Sequence, residues 1–371
     1  MKPRLSPALY TSLALIVGLT LTACIEIPGL EPGDPCNSQN ICVEGLRCIA
    51  GTCEKPGEGV GWRQMDTPRS ATFYALWGPS EQEAYAVGSS GAVVRYQSGA
   101  WQELPSGTTR TLYAVIGHKS DVWVGGSSGA LRRYDGSTFH EATVEDTQGQ
   151  PLKGVSVRGF AEVGGKLYAV SSDSSSKNRV LELQSGDRWR QVGEVTGFSM
   201  RAMIAVGREL LIAGSGTSSV TRFDLDNKSA TQLLLPGGSN YGVNALHGTS
   251  LDGLVVAGDN IALQRKGDGS WEPLKAMAGL HGEREYRGLW GSGLASELYL
   301  VGDAVRPGGN YSTPPSGIES CRAGSCAFDQ LLVSDGSGGF EPLTSSKKIH
   351  AVWGKGALRL AAGEGGIYRR Q

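Results

Sequence analysis

A unit of about 40 residues recurs along most of the chain, and this repeat constrains the fold more than any other feature. Residues 72–104 and 111–141 align almost without gaps. Each contains four short runs of alternating apolar and polar residues, separated by turn residues such as Ser-Ser-Gly and Asp-Gly, which is the pattern of four β-strands. The second run recurs at residues 84–88, 122–126, 167–171, 210–214, 254–258, 298–302 and 358–362.

Four strands in a unit of this length are typical of a β-propeller blade, so seven second runs predict an all-β, seven-bladed β-propeller at residues 61–371. The last unit ends after its third run, whereas Gly61–Met65 stands as a lone strand before the first unit. We therefore expect this N-terminal strand to complete the last blade and close the propeller, which removes an exposed sheet edge. Five fourth runs open with an aromatic residue: Trp101, Phe139, Trp189, Trp271 and Phe340.

The repeat resembles the WD40-like and sialidase-like propeller repeats of bacterial surface proteins. It lacks the Gly-His and Trp-Asp signature of true WD40 blades, but residues 334–340 resemble a degenerate Asp-box, a turn motif of sialidase blades. The resemblance covers residues 61–371 and implies the fold, whereas the function has to be argued from particular residues because propellers host many activities.

Composition excludes several classes of protein. The chain has 35 Lys and Arg against 36 Asp and Glu, so it lacks the positive excess of a nucleic-acid-binding protein. Its 8 Trp and 12 Tyr are too many for a disordered chain, and its 55 Gly are too many for a long helical bundle. We expect no nucleic-acid partner.

The first 23 residues have the features of a bacterial lipoprotein signal peptide. Lys2 and Arg4 precede an apolar segment, Leu13–Leu21, that is shorter than the ~20 residues needed to cross a bilayer. Residues 21–24 (Leu-Thr-Ala-Cys) resemble a lipobox, so the expected mature start is a lipidated Cys24 that anchors the protein in a membrane. The alternative is an ordinary secretory signal with a chance cysteine. Because no aspartate follows Cys24, the resemblance implies an exported lipoprotein of the outer membrane or cell surface of a Gram-negative-type bacterium.

The other six cysteines are even in number, which in an exported chain suggests disulfides. Residues 24–53 have too few apolar residues for a core and are predicted to form a small cysteine-rich knot, followed by a flexible linker at 54–60. Three pairings of the four-cysteine cluster remain open, and a zinc site is disfavoured because the spacing is not CxxC and no histidine is near. The second pair is predicted to be a disulfide, with a free reactive dithiol as the alternative. The candidates are Cys36, Cys42, Cys48 and Cys53 in the cluster, and Cys321 and Cys326 in the pair.

Loop lengths divide the predicted propeller into two faces. The first-to-second and third-to-fourth turns, all short, share what we call the short-turn face. The other connections share the long-loop face, which receives residues 142–153, 171–179, 274–287 and a predicted insertion at 303–329 in blade six. A 27-residue insertion without strand pattern exceeds what connectivity needs, so we expect it to be functional.

The N-terminal strand would run from the short-turn face to the long-loop face. The linker and Cys24 would then emerge at the short-turn face, so the long-loop face would point away from the membrane toward a protein or glycan partner. The alternative is that its side chains are only solvated loop residues. The candidate contacts on this face are Asp173, Lys177, His281, Arg284, Tyr286, Arg306, Asn310, Tyr311 and Arg322.

The sequence contains no recognisable catalytic motif, metal motif or cofactor motif. The five histidines lack ligand spacing and are interpreted as structural or surface residues, and no phosphate loop or nucleophile elbow occurs. Residues 224–227 vaguely suggest calcium, but they lie where a third-to-fourth turn belongs. A sialidase-like site would need arginines around the central channel, a tyrosine and a carboxylate, and no recurring set stands out on the inner strands.

These observations predict a membrane-anchored extracytoplasmic binding or scaffold lipoprotein, without cofactor or metal, and not an enzyme. The alternatives are a glycan-active enzyme on a propeller scaffold, or an outer-membrane assembly factor.

Overall fold

The structure is a computed structural model. It describes residues 47–49, 52–54, 61–172, 178–195, 199–215, 219–236, 242–274, 284–293, 297–304, 317–322, 325–334, 340–342 and 347–370.

Strands account for nearly all regular structure in the first half. Three strands precede the repeats: β1 (Arg47–Ile49), β2 (Thr52–Glu54) and β3 (Trp62–Met65). Unit 1 comprises β4 (Phe73–Trp77), β5 (Glu83–Gly88), β6 (Val93–Gln97) and β7 (Ala100–Glu103), with a 3₁₀ turn at Ser89–Gly91. Unit 2 comprises β8 (Leu112–His118), β9 (Asp121–Gly126), β10 (Leu131–Tyr134) and β11 (Phe139–Glu141). Unit 3 comprises β12 (Thr143–Glu145), β13 (Ser156–Val163), β14 (Lys166–Ser172), β15 (Asn178–Ser185) and β16 (Arg188–Val195).

The second half continues the pattern. Unit 4 comprises β17 (Ser199–Val206), β18 (Glu209–Ser215), β19 (Ser219–Asp224) and β20 (Ser229–Leu234). Unit 5 comprises β21 (Val243–His247), β22 (Val255–Gly258), β23 (Ile261–Arg265) and β24 (Trp271–Pro273). Unit 6 comprises β25 (Arg284–Gly293), β26 (Glu297–Ala304), β27 (Gly317–Arg322), β28 (Ser325–Ser334) and β29 (Phe340–Pro342). Unit 7 comprises β30 (Ile349–Lys355), β31 (Leu358–Gly363) and β32 (Gly366–Arg370).

The chain folds as an all-β propeller, but with six blade sheets where the sequence predicts seven. Units 1 to 5 each form their own sheet, with the strands in chain order and antiparallel, except that β12 joins the outer edge of unit 3 in parallel with β16. Units 6 and 7 share one nine-stranded sheet, because β28 pairs in parallel with β3, which also pairs with β32. Among the described strands, no sheet closes on itself.

The lone N-terminal strand lies where the sequence places it, beside the last strand. β3 pairs antiparallel with β32, with Trp62 opposite Arg370 and Met65 opposite Ile367. The Trp62 side chain is fully buried and meets Tyr299 edge-on, with ring centroids 5.3 Å apart. Because β32 ends at the short-turn face, the chain enters β3 from that face.

Apolar side chains cluster between the units, not within them. Among the described residues, seven clusters each span two consecutive units, including one that joins Trp353 of unit 7 to Phe73 of unit 1. The first strands follow the same cyclic order, since each contacts the next and β30 contacts β4. Second strands such as β5 are buried on both sides, which explains why their sequences are continuous apolar runs.

Tryptophan and glycine interlock across three neighbouring junctions. A Cβ on Gly117 of unit 2 would collide with the indole of Trp77 in unit 1. Gly354 stands in the same relation to Trp290 of unit 6, and Gly78 to Trp353 of unit 7. In the recurring Trp-Gly dipeptide, the tryptophan therefore packs against the next unit. The glycine leaves space for the tryptophan of the previous unit.

Some predicted loops contain strands. Residues 143–145 form β12, and the predicted insertion at 303–329 contains β27 and the beginning of β28. The apolar alternation of these segments is weak, so the sequence pattern did not show them. Cys48 is the register partner of Cys53, and Cys321 is that of Cys326. The helical segments of the described chain include none with the length and apolar character required to cross a membrane.

Candidate functional site

Each unit interrupts its first strand with a β-bulge at the same place. In unit 1, Phe73 pairs with Gly88 and Ala75 with Val87, so Tyr74 has no partner on β5. The same shift occurs near the start of β8, β13, β17, β21, β25 and β30. We call the seven bulged residues the bulge ring: Tyr74, Tyr113, Arg158, Arg201, Asn244, Arg287 and His350.

A glycine at the end of the second strand accommodates the bulge. A Cβ on Gly88 would collide with the carbonyl oxygen of Thr72, which instead accepts a hydrogen bond from the amide of Ser89 at 2.9 Å. The backbones can approach this closely only because glycine has no side chain. A Cβ would meet the equivalent carbonyl oxygen in four other second strands, at Gly126, Gly258, Gly302 and Gly363.

The bulge ring lines one cavity. All seven residues, together with Met200, surround a cavity of about 140 Å³. Since first strands begin at the long-loop face and the bulges lie near their first residues, the cavity opens at that face. A bulge re-aims the side chain that it carries, and here it does so in every unit.

One side of the cavity is aromatic. Tyr74 lies between two flat neighbours, with its ring centroid 4.8 Å from that of His350 and 5.4 Å from that of Tyr113. Burial raises the pKa of the Tyr74 hydroxyl above 10, and Tyr113 and Glu364 add to this effect, whereas Arg287 and Arg158 oppose it. Tyr74 is therefore a neutral hydrogen-bonding group at physiological pH.

The adjacent side is cationic. The guanidinium of Arg158 stacks 3.8 Å from the ring centroid of Tyr113, and Arg201 occupies the next position as an exposed side chain. Neither arginine makes an ion pair or hydrogen bond with any residue that the structure describes. A stacked guanidinium keeps its N–H edges available, and these can bind a carboxylate in a bidentate manner.

Arg287, at the equivalent position in unit 6, is by contrast fully engaged. It donates hydrogen bonds to Asp303 at 3.1 and 3.0 Å and to Glu285 at 2.9 Å. Lys348 lies 3.3 Å from the same Asp303 carboxylate. Arg287 therefore belongs to a charge network that fixes the wall of the cavity.

Asn244 and His350 complete the ring. The amide of Asn244 is buried and donates to Asp259 and to the carbonyl oxygen of Tyr286, each at 2.9 Å. Burial and the positive charge of Arg287 lower the pKa of His350 to about 4, so its imidazole is neutral at pH 7. The cavity thus contains two cations without an ion pair to any described residue, beside flat, uncharged groups.

No family model and no curated protein sequence matches this chain. Solved structures do match, and they show a β-propeller. YCF48 bound to D1 peptide superposes with a TM-score of 0.58 at 13% identity, covering 84% of this chain and 95% of that one. Virginiamycin B lyase from Staphylococcus aureus gives 0.57 at 12%, covering 84% and 99%. The WD40 propeller domain of Doa1 gives 0.56 at 12%, covering 84% and 97%. At these identities the likeness shows the fold alone.

The structure brings few of the predicted face residues to the cavity. Tyr286 is 2% exposed and packs in the core between units 5 and 6, because the bulge turns it away from the axis. Arg284 begins β25, at the long-loop face. Arg322 ends β27, before a third-to-fourth turn, so it belongs to the short-turn face. The other predicted contacts lie outside the described residues: Asp173, Lys177, His281, Arg306, Asn310 and Tyr311.

The bulge ring is a recurring set of inner-strand residues that the sequence pattern does not single out. His350, interpreted from the sequence as structural or surface, lines the cavity. The signal was present: each ring residue follows a buried apolar or aromatic residue and precedes Ala or Gly, and four of them, from Arg158 to Arg287, are spaced by 43 residues.

The calcium alternative finds no support in the turn at residues 224–227. Asp224 accepts hydrogen bonds from the amides of Asp226 and Asn227 at 2.8 and 3.0 Å, as in an Asx turn. Asp226 pairs with Arg208. Within the part of the chain that the structure describes, no group of three His, Cys, Asp or Glu side chains could hold a metal ion.

Proposed function

We propose that the protein is a membrane-anchored extracytoplasmic binding protein whose propeller presents its long-loop face to a protein or glycan partner, and that the bulge ring is the centre of this contact. The observation that carries the proposal is the repeated bulge. Seven units independently turn a polar or aromatic side chain into one cavity, and two of these side chains are arginines that make no ion pair within the described part of the chain.

Stability does not require this arrangement. Regular strands would pair better than bulged ones, and a packed channel would be filled by apolar residues. Unpaired guanidinium groups instead create a positive field that attracts an anionic partner and orients it. Among structural neighbours, YCF48 was solved with a bound peptide, which is consistent with binding at a propeller face.

The proposal includes the anchor and the orientation. Lipidation at Cys24 would hold the protein at the outer membrane or cell surface. Because the chain enters β3 from the short-turn face, the cavity would open away from the membrane. We further propose that β3 closes a ring of seven functional blades, supported by the cyclic contacts of the seven first strands.

Crosslinking and affinity recovery from intact cells test the binding proposal. The variant Arg158→Ala/Arg201→Ala removes both unpaired cations, and the expected result is loss of the partner recovered with the wild type. Arg208→Ala is the matched control, because Arg208 is 74% exposed in a first-to-second turn on the opposite face. Equal recovery by the wild type and the double variant would refute binding through the ring.

Fractionation of cells tests the anchor. Cys24→Ala should release the protein from the membrane fraction, because acyl chains contribute ~0.8 kcal/mol per buried CH₂. Persistent membrane association of this variant would contradict lipidation at Cys24.

A glycan-active enzyme is the second candidate, and the convergence of three arginines with Tyr74 and His350 favours it. The raised pKa of Tyr74 weighs against a tyrosine nucleophile, since its hydroxyl donates no hydrogen bond to a described carboxylate that would activate it. Turnover of sialylated or uronate-containing glycans by the purified protein, abolished by Tyr74→Phe, would establish this function. Binding of such glycans without turnover supports the binding protein.

A further inference from the structure

We infer that the bulge ring binds the C-terminal residue of a partner polypeptide, with the terminal carboxylate on Arg158 and Arg201 and an aromatic side chain against Tyr74 and His350. This inference rests on the proposed function and names the chemical group that the site recognises.

The charges of the ring arginines indicate that the ligand carries an anionic group. Of the three arginines in the ring, Arg287 is neutralised by Asp303 and Glu285, whereas the two neighbours Arg158 and Arg201 have no described anionic partner. Two forked donors from consecutive units on the same cavity can both bind one carboxylate. The group that completes this side of the cavity is therefore an anion with planar oxygen acceptors.

The aromatic side of the cavity indicates that the ligand also carries a flat apolar group. His350, Tyr74 and Tyr113 follow one another around the ring, with centroid separations of 4.8 and 5.4 Å. These rings present flat, neutral surfaces, because His350 is uncharged at pH 7. Such surfaces stack with a flat apolar group, and not with a second anion.

Size and shape select the end of a chain. The cavity of about 140 Å³ is close in size to cavities that bind one benzene ring, so it admits one residue and no folded element. Each of the seven units contributes a wall residue, which leaves the axis as the direction of approach. An internal Asp or Glu carries a carboxylate but no flat group. A C-terminal aromatic residue carries both on one Cα.

The test compares two probes that differ in one group. Fluorescein-labelled Gly-Ser-Gly-Phe is prepared with a free C-terminal carboxylate and as the C-terminal amide, and binding to the full-length protein in detergent is measured by fluorescence anisotropy. We expect the free acid to bind about 10- to 100-fold more tightly than the amide, because the amide removes a charge-assisted contact. Equal binding of the two probes overturns the inference.

Matched variants locate the contact. Arg158→Gln/Arg201→Gln should abolish the preference for the acid, and Arg158→Lys/Arg201→Lys should restore part of it, since lysine keeps the charge but loses the fork. Arg208→Gln on the opposite face should leave the preference unchanged. A preference that survives the double Gln variant overturns the inference.

Sugar acids provide the competing outcome. Glucuronate and N-acetylneuraminate are added as competitors, and tighter ring-dependent binding of either than of the peptide acid would overturn the inference in favour of an acidic glycan. The result also separates the two proposals. If the cell-derived partner depends on the ring but the acid and amide probes bind alike, the proposed function stands and this inference fails. If neither the partner nor the probes depend on the ring, both fail.

Discussion

Two regions of the propeller differ in strand register and in the side chains they contain. One is the seam between β3 and β32, and the other is the cavity at the long-loop face. At the seam, the strands pair in regular register and Trp62 is buried against Tyr299. At the cavity, every first strand breaks its register and turns a polar or aromatic residue toward the axis. Apolar packing between the units stabilises the fold, so the fold does not depend mainly on the side chains of the bulge ring, which we propose bind a partner. Substitutions should therefore separate stability from binding.

The largest loss of stability should come from the seam. Trp62→Ala empties a fully buried site, and large-to-small changes of this kind cost about 3–5 kcal/mol. Guanidinium unfolding should show this loss, while the surviving folded fraction should keep its preference for the free-acid peptide. Trp271→Ala, at a partly exposed tryptophan of an outer strand, should cost much less. Similar losses of unfolding free energy for the two variants would show that the seam contributes no more to stability than an outer strand.

A smaller effect is expected where tryptophan and glycine interlock. Gly117→Ala places a methyl group against the indole of Trp77, and overpacking costs about 1–3 kcal/mol. The control is Gly267→Ala, where the nearest side-chain atom to a new Cβ is 3.8 Å away. Calorimetry should show a lower Tm for Gly117→Ala alone. An unchanged Tm would mean that the indole moves aside without cost.

The two kinds of arginine in the bulge ring should differ within the same assay. Arg287→Gln breaks the network with Asp303 and Glu285, and we expect a loss of about 1–3 kcal/mol. Arg158→Gln removes no described ion pair and loses only the stacking on Tyr113, so its effect on unfolding should be about 0.5–1 kcal/mol. If Arg158→Gln were as destabilising as Arg287→Gln, the cationic side would be structural.

A further effect on stability depends on pH. Burial and Arg287 hold the pKa of His350 at about 4, below its ordinary value of 6.5, with Lys348 acting in the same direction and Asp303 against it. Between these two pH values the unfolded chain binds a proton that the folded chain excludes, so stability should fall as pH drops from about 6.5 to 4. His350→Gln should make the unfolding free energy less dependent on pH in this window. His247, whose pKa burial also lowers, should retain part of the slope.

The sequence pattern predicted the units well, because continuous apolar runs and the aromatic residues of fourth strands are both local features of the sequence. Continuous apolar runs such as residues 84–88 become strands buried on two sides, and Phe139 and Trp271 begin fourth strands as expected. The pairing of β28 with β3 could not be predicted, because it joins segments that are distant in sequence and share no pattern. That pairing merges the last two units into one sheet.

The site escaped sequence reasoning for a different reason. Side-chain direction in a strand is inferred from a period of two, and a bulge adds one residue and breaks that period. Tyr286 and Arg287 both lie in the predicted loop 274–287 and only Tyr286 is a predicted contact, whereas the structure buries Tyr286 in β25 and turns Arg287 toward the cavity. Comparing equivalent positions across units, instead of alternation within one strand, would have aligned all seven residues.

The pairing of Trp62 with Arg370 also affects the order of events during folding. β3 precedes all seven units in the chain, and its antiparallel partner β32 belongs to the seventh. Contacts between such distant segments form slowly because a long loop must close before they form. A truncated chain that lacks β32 would leave the Trp62 indole without its final neighbours, so completion of the seam would distinguish full-length molecules from fragments. The burial of Trp62 would then show whether β32 has been synthesised and has paired with β3.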